Sequence, residues 1–253
     1  MDVHLLLFVL ADFLLGLVLG LTGGLLGIGG GLIAIPVLGY LYGMNQHLAQ
    51  GTALVMIAPN LLVGFLRYHQ RHRIALRAVA AMSALSMLAT FVAAKFAARI
   101  PAAHLQVAFA TFLIVMGLYF MWEFHARAQS SAAERPVPKS ALALLGITCG
   151  AMSGLFTVGG VLIVVPALVA IYGMTQTRAQ GVALALVVPG AVIALGTYAH
   201  HGLVDWRIGV PLAAGGLVSV SAGVALAHRF PPLALRIAFC AVLVAAGVGM
   251  LLR

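Results

Sequence analysis

The sequence predicts an all-α integral membrane protein that crosses the bilayer several times. Of its 253 residues, 63% are hydrophobic and 8% are charged, whereas soluble domains carry about a quarter charged residues. The mean hydropathy of +1.13 indicates that the hydrocarbon core of a bilayer surrounds most of the chain. Because a transmembrane helix needs about 20 apolar residues, the length allows about seven to nine spans and excludes a sizeable water-soluble domain.

Charge and motif content exclude several kinds of site. The chain has 14 Lys and Arg residues and 5 Asp and Glu residues, which gives a net charge of +9. An excess of Lys and Arg is typical of the cytoplasmic loops of membrane proteins. The two cysteines, Cys149 and Cys240, lie in separate apolar runs and form no metal or disulfide motif. The chain has no Gly-x-Ser-x-Gly and no His-Glu-x-x-His. We therefore expect no catalytic residues, no metal, no cofactor and no nucleic-acid partner.

Eight apolar runs follow one another, and the polar breaks between them carry most of the charge. The first run lacks the basic leader of a cleaved signal peptide, so we expect it to stay as a membrane anchor. The longest polar stretch, 124–140, contains Ala, Ser and two Pro and is typical of a linker. The runs cover residues 5–42, 48–66, 75–98, 102–122, 141–172, 179–198, 207–228 and 233–252.

The two sides of that linker are copies of each other. Shifting the chain by 130 positions places 20–60 on 150–190 without a gap, and about nineteen of the 41 positions are identical. We therefore predict two tandem four-segment transmembrane repeats, 1–123 with a core of 20–123, and 141–253 with a core of 150–253. Internal repeats with a binding site at their interface are the common plan of secondary transporters.

The first segment of each repeat is too long and too rich in glycine for one helix. Residues 5–42 as a single helix would measure about 57 Å, against a hydrocarbon core of about 30 Å. Glycines cluster at 23–31 and recur at 154–160, and each costs a helix about 1 kcal/mol relative to Ala. We predict a broken first helix in each repeat, with breaks near 27–31 and 157–160.

The breaks leave two topologies open. If the broken segment crosses once, the chain has eight spans with both termini inside, which we favour. If the segment is re-entrant, the halves are inverted repeats and both termini lie outside. The distribution of Lys and Arg does not separate these alternatives.

The glycines themselves have two interpretations. Small residues four positions apart let helices pack closely in lipid. Alternatively, the freed backbone N–H groups of a broken helix stabilise an anion at the membrane midplane. We predict that both hold, with an anion site between the repeats. The candidate substrate-binding residues are the glycines at the breaks and the uncharged polar residues near them: Thr22, Gly29, Gly30, Gln50, Ser153, Thr157, Gly159, Gly160 and Gln180.

Asp12 is the acidic residue embedded early in an apolar run. An intramembrane carboxylate is a functional candidate, here as a proton carrier. The repeat register argues against that role, because position 11 aligns with 141, where the second copy enters the membrane, and Leu142 replaces Asp12. We therefore expect Asp12 to be an interfacial residue.

The motifs also resemble a known family. The run Gly-Gly-Leu-Leu-Gly-Ile-Gly-Gly-Gly at 23–31, Pro36, and the stretch Ala49-x-Gly51-Thr52-Ala53-Leu54 are similar to the sulfite exporter TauE/SafE family, and 159–181 repeats the pattern. The resemblance implies a multi-pass carrier of small sulfur-containing anions, such as sulfite or a sulfonate, in the inner membrane of a bacterium. An anion channel and a non-transport membrane protein remain alternatives, and the resemblance implies no oligomeric state.

Overall fold

The chain is helical, as its composition predicts. The computed structural model describes residues 3–26, 30–72, 76–127, 138–157, 159–174, 176–227 and 232–252, and these residues form ten helices and no strand. Most of the predicted linker and Gly29 lie outside the described residues. The helices are α1 (Val3–Leu26), α2 (Gly31–Tyr42), α3 (Gln46–His72), α4 (Leu76–Ala97), α5 (Ala102–Arg127), α6 (Lys139–Phe156), α7 (Gly159–Tyr172), α8 (Gln176–His200), α9 (Trp206–Ala227) and α10 (Pro232–Leu251).

The helix boundaries recur at the offset of the sequence repeat. The ends of α1 and α6, Leu26 and Phe156, are 130 positions apart, as are the ends of α2 and α7. The starts of α3, α4 and α5 precede those of α8, α9 and α10 by the same 130 positions. Each half therefore contains five helices, because its first apolar run is divided in two.

The apolar helices make the chain a multi-pass membrane protein. Within the described residues, four helical stretches are long and apolar enough to cross a bilayer, namely Leu6–Leu25, Gln46–Leu66, Ala102–Trp122 and Ala179–His200. Five shorter apolar stretches accompany them, and eight spans stay a prediction. Large apolar side chains stand exposed on α1, among them Phe8 at 66% and Val18 at 58%. A face of this kind is stable against lipid tails and not against water.

The helices form two compact units, and each unit takes helices from both sequence halves. The first unit comprises Met1–Asn60, Ile100–Ala128 and Gly202–Arg253, and therefore holds α1, α2, the start of α3, α5, α9 and α10. The second comprises Leu61–Arg99 and Gln129–His201, with the rest of α3, α4, α6, α7 and α8. The helix break of one half is thus packed by a helix of the other half within each unit.

Glycines bring those packed helices into backbone contact. In the first unit, a Cβ on Gly16 of α1 would lie 2.2 Å from the carbonyl oxygen of Leu212 on α9. In the second unit, a Cβ on Gly150 of α6 would lie 2.2 Å from the carbonyl oxygen of Ser86 on α4. Any side chain at these positions would force the helices apart, so the packing interpretation of the glycines applies to both pairs.

Each broken segment folds back on itself. A Cβ on Gly30, the residue before α2, would lie 2.7 Å from the carbonyl oxygen of Leu19. In a continuous helix these two residues would be about 16 Å apart along the axis. The Tyr42 hydroxyl at the end of α2 donates a hydrogen bond to Asp12 on α1. Both contacts require α2 to run back along α1, which is the geometry of the re-entrant alternative.

The second half repeats this reversal in the second unit. A Cβ on Gly160, in the first turn of α7, would lie 2.7 Å from the carbonyl oxygen of Cys149 on α6. Cys149 precedes the end of α6 by seven residues, as Leu19 precedes the end of α1. The same fold-back therefore occurs at positions 130 residues apart.

Candidate substrate-binding site at the helix breaks

The second break is built around a strained threonine. Thr157 ends α6 in the left-handed conformation, with φ 63°, and is the one non-glycine residue with positive φ within the described part of the chain. It is fully buried, and its hydroxyl donates a hydrogen bond to the carbonyl oxygen of Phe156 at 2.7 Å. A β-branched residue is a clear outlier in this region, at a cost of about 1–3 kcal/mol.

The strain at Thr157 predicts a stability effect. Thr157→Gly should raise the free energy of unfolding by about 1 kcal/mol, because glycine adopts positive φ without steric penalty and the sequence-equivalent residue is Gly27. Thermal melting of the purified protein in detergent checks this, with Thr157→Ala as the control that keeps a Cβ. A lower melting temperature for Thr157→Gly would contradict the strain.

A hydroxyl and a thiol face the start of α7. A Cβ on Gly160 would lie 2.4 Å from Ser153 Oγ and 2.7 Å from the Cys149 sulfur. Ser153 is 1% exposed, and its Oγ has no hydrogen-bond partner within the described residues. The Cys149 thiol, which lies beside the Ser153 and Ser86 hydroxyls, is only a weak donor. The first N–H groups of α7 have no partner inside the helix, so several donors converge at this point.

Helix α4 adds two further hydroxyls to the second break. The Ser86 hydroxyl donates to the carbonyl oxygen of Leu186 at 3.2 Å. Thr90 is fully buried, and its Oγ1 has no hydrogen-bond partner in the described part of the chain. A Cβ on Gly190 would lie 2.8 Å from that Oγ1. We refer to Ser86, Thr90, Cys149, Ser153 and Gly160 as the second cradle.

The proline of α8 explains why α4 hydroxyls bond to carbonyls on that helix. Pro189 has no N–H and therefore leaves the carbonyl of Ala185 without its helical donor. The Ser83 hydroxyl donates to that carbonyl oxygen at 3.2 Å. Polar groups released by the proline are thus satisfied by a neighbouring helix, as the membrane interior requires.

The first break is surrounded by less polar groups. Gly30 is left-handed, with φ 83°, and the atoms nearest to its Cβ position belong to Leu19 and to Met56 on α3. The Thr22 hydroxyl donates to carbonyl oxygens within its own helix, those of Val18 at 2.9 Å and Leu19 at 3.1 Å. We refer to Leu19, Gly30 and Met56 as the first cradle.

The predicted site residues are only partly brought together. Ser153, Thr157, Gly159 and Gly160 meet at the second break in the second unit. Gln50 is fully buried on α3, six residues or about 9 Å before Met56, and Gln180 is half-buried on α8. Within the described residues, no group of three His, Cys, Asp or Glu side chains is placed to hold a metal ion.

Asp12 is buried by contacts within the first unit. It is 4% exposed and lies six residues, or about 9 Å, inside the apolar stretch Leu6–Leu25. Its carboxylate accepts a hydrogen bond from Tyr42, and the Asp205 carboxylate ahead of α9 is close enough to act on it electrostatically. Both partners lie at helix ends, and the position of Asp12 at the membrane interface stays a prediction.

The comparison with protein families identifies the family of this chain. The model of the sulfite exporter TauE/SafE family matches residues 12–250, nearly the whole chain and both helix breaks. The chain belongs to the sulfite exporter TauE/SafE family. Members of this family are membrane transporters, so this TauE/SafE protein is a transporter with a transported substrate and a lipid bilayer around it, and not an enzyme.

Curated relatives of this TauE/SafE chain carry general transporter names. It is 30% identical over 222 residues to a "Probable membrane transporter protein" of Xylella fastidiosa, covering 86% of this chain and 82% of the relative. It is 26% identical over 253 residues to "Probable membrane transporter protein MJ0441" of Methanocaldococcus jannaschii, covering 94% of both. It is 25% identical to YdhB of Bacillus subtilis, covering 91% and 94%. No solved structure matches.

Three residues of the second cradle could not be found from the sequence as site residues. Ser86 and Thr90 lie in the third apolar run, 75–98, about 70 positions before the second break. Cys149 is a lone cysteine in an apolar run and reads as a small core residue. The available signal was the spacing of Ser86 and Thr90, which places both on one helix face.

Proposed function

We propose that this TauE/SafE protein is a secondary transporter of small sulfur-containing anions, such as sulfite or a sulfonate. The supporting observation is the second cradle, where the buried and unpartnered Ser153 hydroxyl faces the first turn of α7. Helix N-termini favour anions. In transporters, such sites commonly lie at a broken helix near the membrane midplane. Neutral donors bind an oxyanion less tightly than a charged side chain does, so the anion can also be released.

We also propose an inverted-repeat topology in the inner membrane of a bacterium. A segment that folds back returns the chain to the side on which it entered, so the three further helices of each half cross three times. The chain then has six spans in place of the eight that the sequence analysis favours. The two halves then have opposite orientations, and both termini lie outside. Cysteine labelling from each side of the membrane, at His4 and at Arg253, tests this arrangement.

Transport by alternating access fits the duplicated breaks better than a channel. In inverted repeats with broken helices, the two halves can exchange conformations. This exchange closes the site to one side of the membrane and opens it to the other. We place the anion at the breaks, with the predicted residues Ser153, Thr157 and Gly160 nearest to it. Gly30, Thr22, Gln50 and Gln180 remain candidates for contacts made in other transport states.

A panel of anions in proteoliposomes tests the substrate class. Radiolabelled sulfite and methanesulfonate should enter vesicles that contain the protein at rates at least tenfold above those of protein-free vesicles. Phosphate, which is largely a dianion at neutral pH, should not, because neutral donors do not replace the hydration of a doubly charged ion. Uptake of chloride at rates that require an open pore would favour the channel alternative.

A further inference from the structure

We propose that the two helix breaks are not equivalent, and that the anion binds at the second cradle and not at the first. This inference rests on the proposed function and adds to it a single location. It also assigns substrate contacts to Thr90 and Cys149, which neither the glycine motif nor the repeat indicates.

The two cradles share one backbone arrangement. Gly30 and Gly160 are 130 positions apart, and the Cβ position of each lies 2.7 Å from a carbonyl oxygen, of Leu19 and Cys149 respectively. Those two partners are also 130 positions apart. A difference in binding must therefore come from side chains and not from the path of the chain.

The two cradles differ in the hydroxyls that are free to donate. Thr22 and Ser219 of the first unit are polar where the second half has Met152 and the second unit has Ala89, but their hydroxyls donate to carbonyl oxygens of their own helices. Each polar residue of the second cradle has a counterpart 130 positions away in the other repeat, on α1 or on α9. None of these counterparts has a side-chain donor. Atoms of Ser153 and Cys149 lie against Gly160, whereas Leu19 and Met56 lie against Gly30. The matched pairs are Cys149 with Leu19, Ser153 with Gly23, Thr157 with Gly27, Ser86 with Gly216, and Thr90 with Val220.

Asn60 is a further polar residue of the first unit, and the second half has Gly190 at the matched position. It is 1% exposed, and neither polar atom of its amide has a hydrogen-bond partner within the described residues. Its Nδ2 would lie 2.9 Å from a Cβ on Gly216. Its amide presents an acceptor fixed beside its donors, whereas a hydroxyl can rotate its proton toward an anion. In the second cradle, the Ser153 and Thr90 hydroxyls have no partner within the described residues and are available for this.

The donor set also favours singly charged ligands. The second cradle contains no basic residue, so the anion must be stabilised by neutral donors and by the partial charge of the helix terminus. The cost of removing an ion from water rises steeply with its charge. We therefore infer selection of monoanionic oxyanions of sulfur, such as hydrogensulfite or a sulfonate, over dianions such as sulfate.

Equilibrium binding with matched variants tests the location. Ser153→Ala and Thr90→Val each remove one buried hydroxyl with little change of volume, and each should weaken the binding of radiolabelled sulfite to purified protein about tenfold or more. The matched controls are Ser219→Ala and Thr197→Val. Their hydroxyls are similarly buried but donate to carbonyl oxygens of their own helices, of Gly215 at 3.1 Å and Ile193 at 2.9 Å.

The outcomes separate this inference from the proposed function. Weaker binding in Ser153→Ala and Thr90→Val, with unchanged controls and similar melting temperatures, supports the second cradle. Wild-type affinity in both variants of a protein that transports sulfite overturns the location while the function stands. If the wild type neither binds nor transports any sulfur anion, the proposed function itself fails. Cys149→Ala, predicted to weaken binding less than Ser153→Ala, replaces either variant that does not fold.

Discussion

Gly160→Ala is expected to abolish transport. The added Cβ would lie 2.4 Å from Ser153 Oγ and 2.7 Å from both the carbonyl oxygen and the sulfur of Cys149. Real Cβ atoms do not make such contacts, so the start of α7 must move away from α6 by about an ångström. A displacement of that size at a site of defined geometry lowers a rate by about 100-fold. Initial rates of sulfite uptake into proteoliposomes measure the effect.

Two further variants separate loss of the site from loss of folding. Gly196→Ala in α8 adds a Cβ with no atom within 4 Å, and should transport normally with a free energy of unfolding higher by about 0.5–1 kcal/mol. The double variant Gly160→Ala with Ser153→Ala frees part of the space and should regain melting temperature without regaining transport, because the hydroxyl is absent. Normal uptake by Gly160→Ala would remove this break from the site.

Asp12→Asn is expected to abolish transport driven by a pH gradient while leaving exchange of labelled for unlabelled substrate intact. We propose that Asp12 takes up and releases the coupled proton, because it is a buried carboxylate inside an apolar helix and such groups mark proton pathways. An amide has the same shape but cannot exchange a proton. Uptake with and without an imposed pH gradient, followed by counterflow without one, measures both properties.

The partners of Asp12 supply the control. Tyr42 of α2 donates to its carboxylate, and Asp205 ahead of α9 adds a second negative charge in its surroundings. Tyr42→Phe keeps the proton-binding group and should retain driven transport with a changed pH profile. Driven transport at the wild-type rate in Asp12→Asn would assign Asp12 a structural role at the junction of α1 and α2.

The sequence predicts the helix breaks well because their cause is local. Glycine clusters weaken a helix wherever they occur. Helix α1 ends at Leu26 and α2 begins at Gly31, while α6 ends at Phe156 and α7 begins at Gly159, close to the predicted ranges. Ser153 and Thr157 were found by adjacency to those glycines. The reversal of the chain was one of two open alternatives, since glycine content shows where a helix ends but not which way the next one runs.

The parts that the sequence does not predict depend on long-range packing. Thr90 and Ser86 reach the second break because α4 of the first half packs on α6 of the second half, at backbone contact through Gly150 and Gly154. Hydrophobic patterning identifies these helices but does not pair them. The burial of Asp12 is not predictable for the same reason, because its partner Tyr42 lies 30 positions away.

Counterflow of radiolabelled sulfite tests the central claim most directly. Vesicles that contain the protein are loaded with unlabelled sulfite and diluted into a trace of labelled sulfite without any ion gradient. The account predicts transient accumulation of label above equilibrium in the wild type, and none in Gly160→Ala. Equilibration of the label without an overshoot, at a rate that the unlabelled sulfite does not affect, would contradict a carrier and indicate a channel or no transport of this anion.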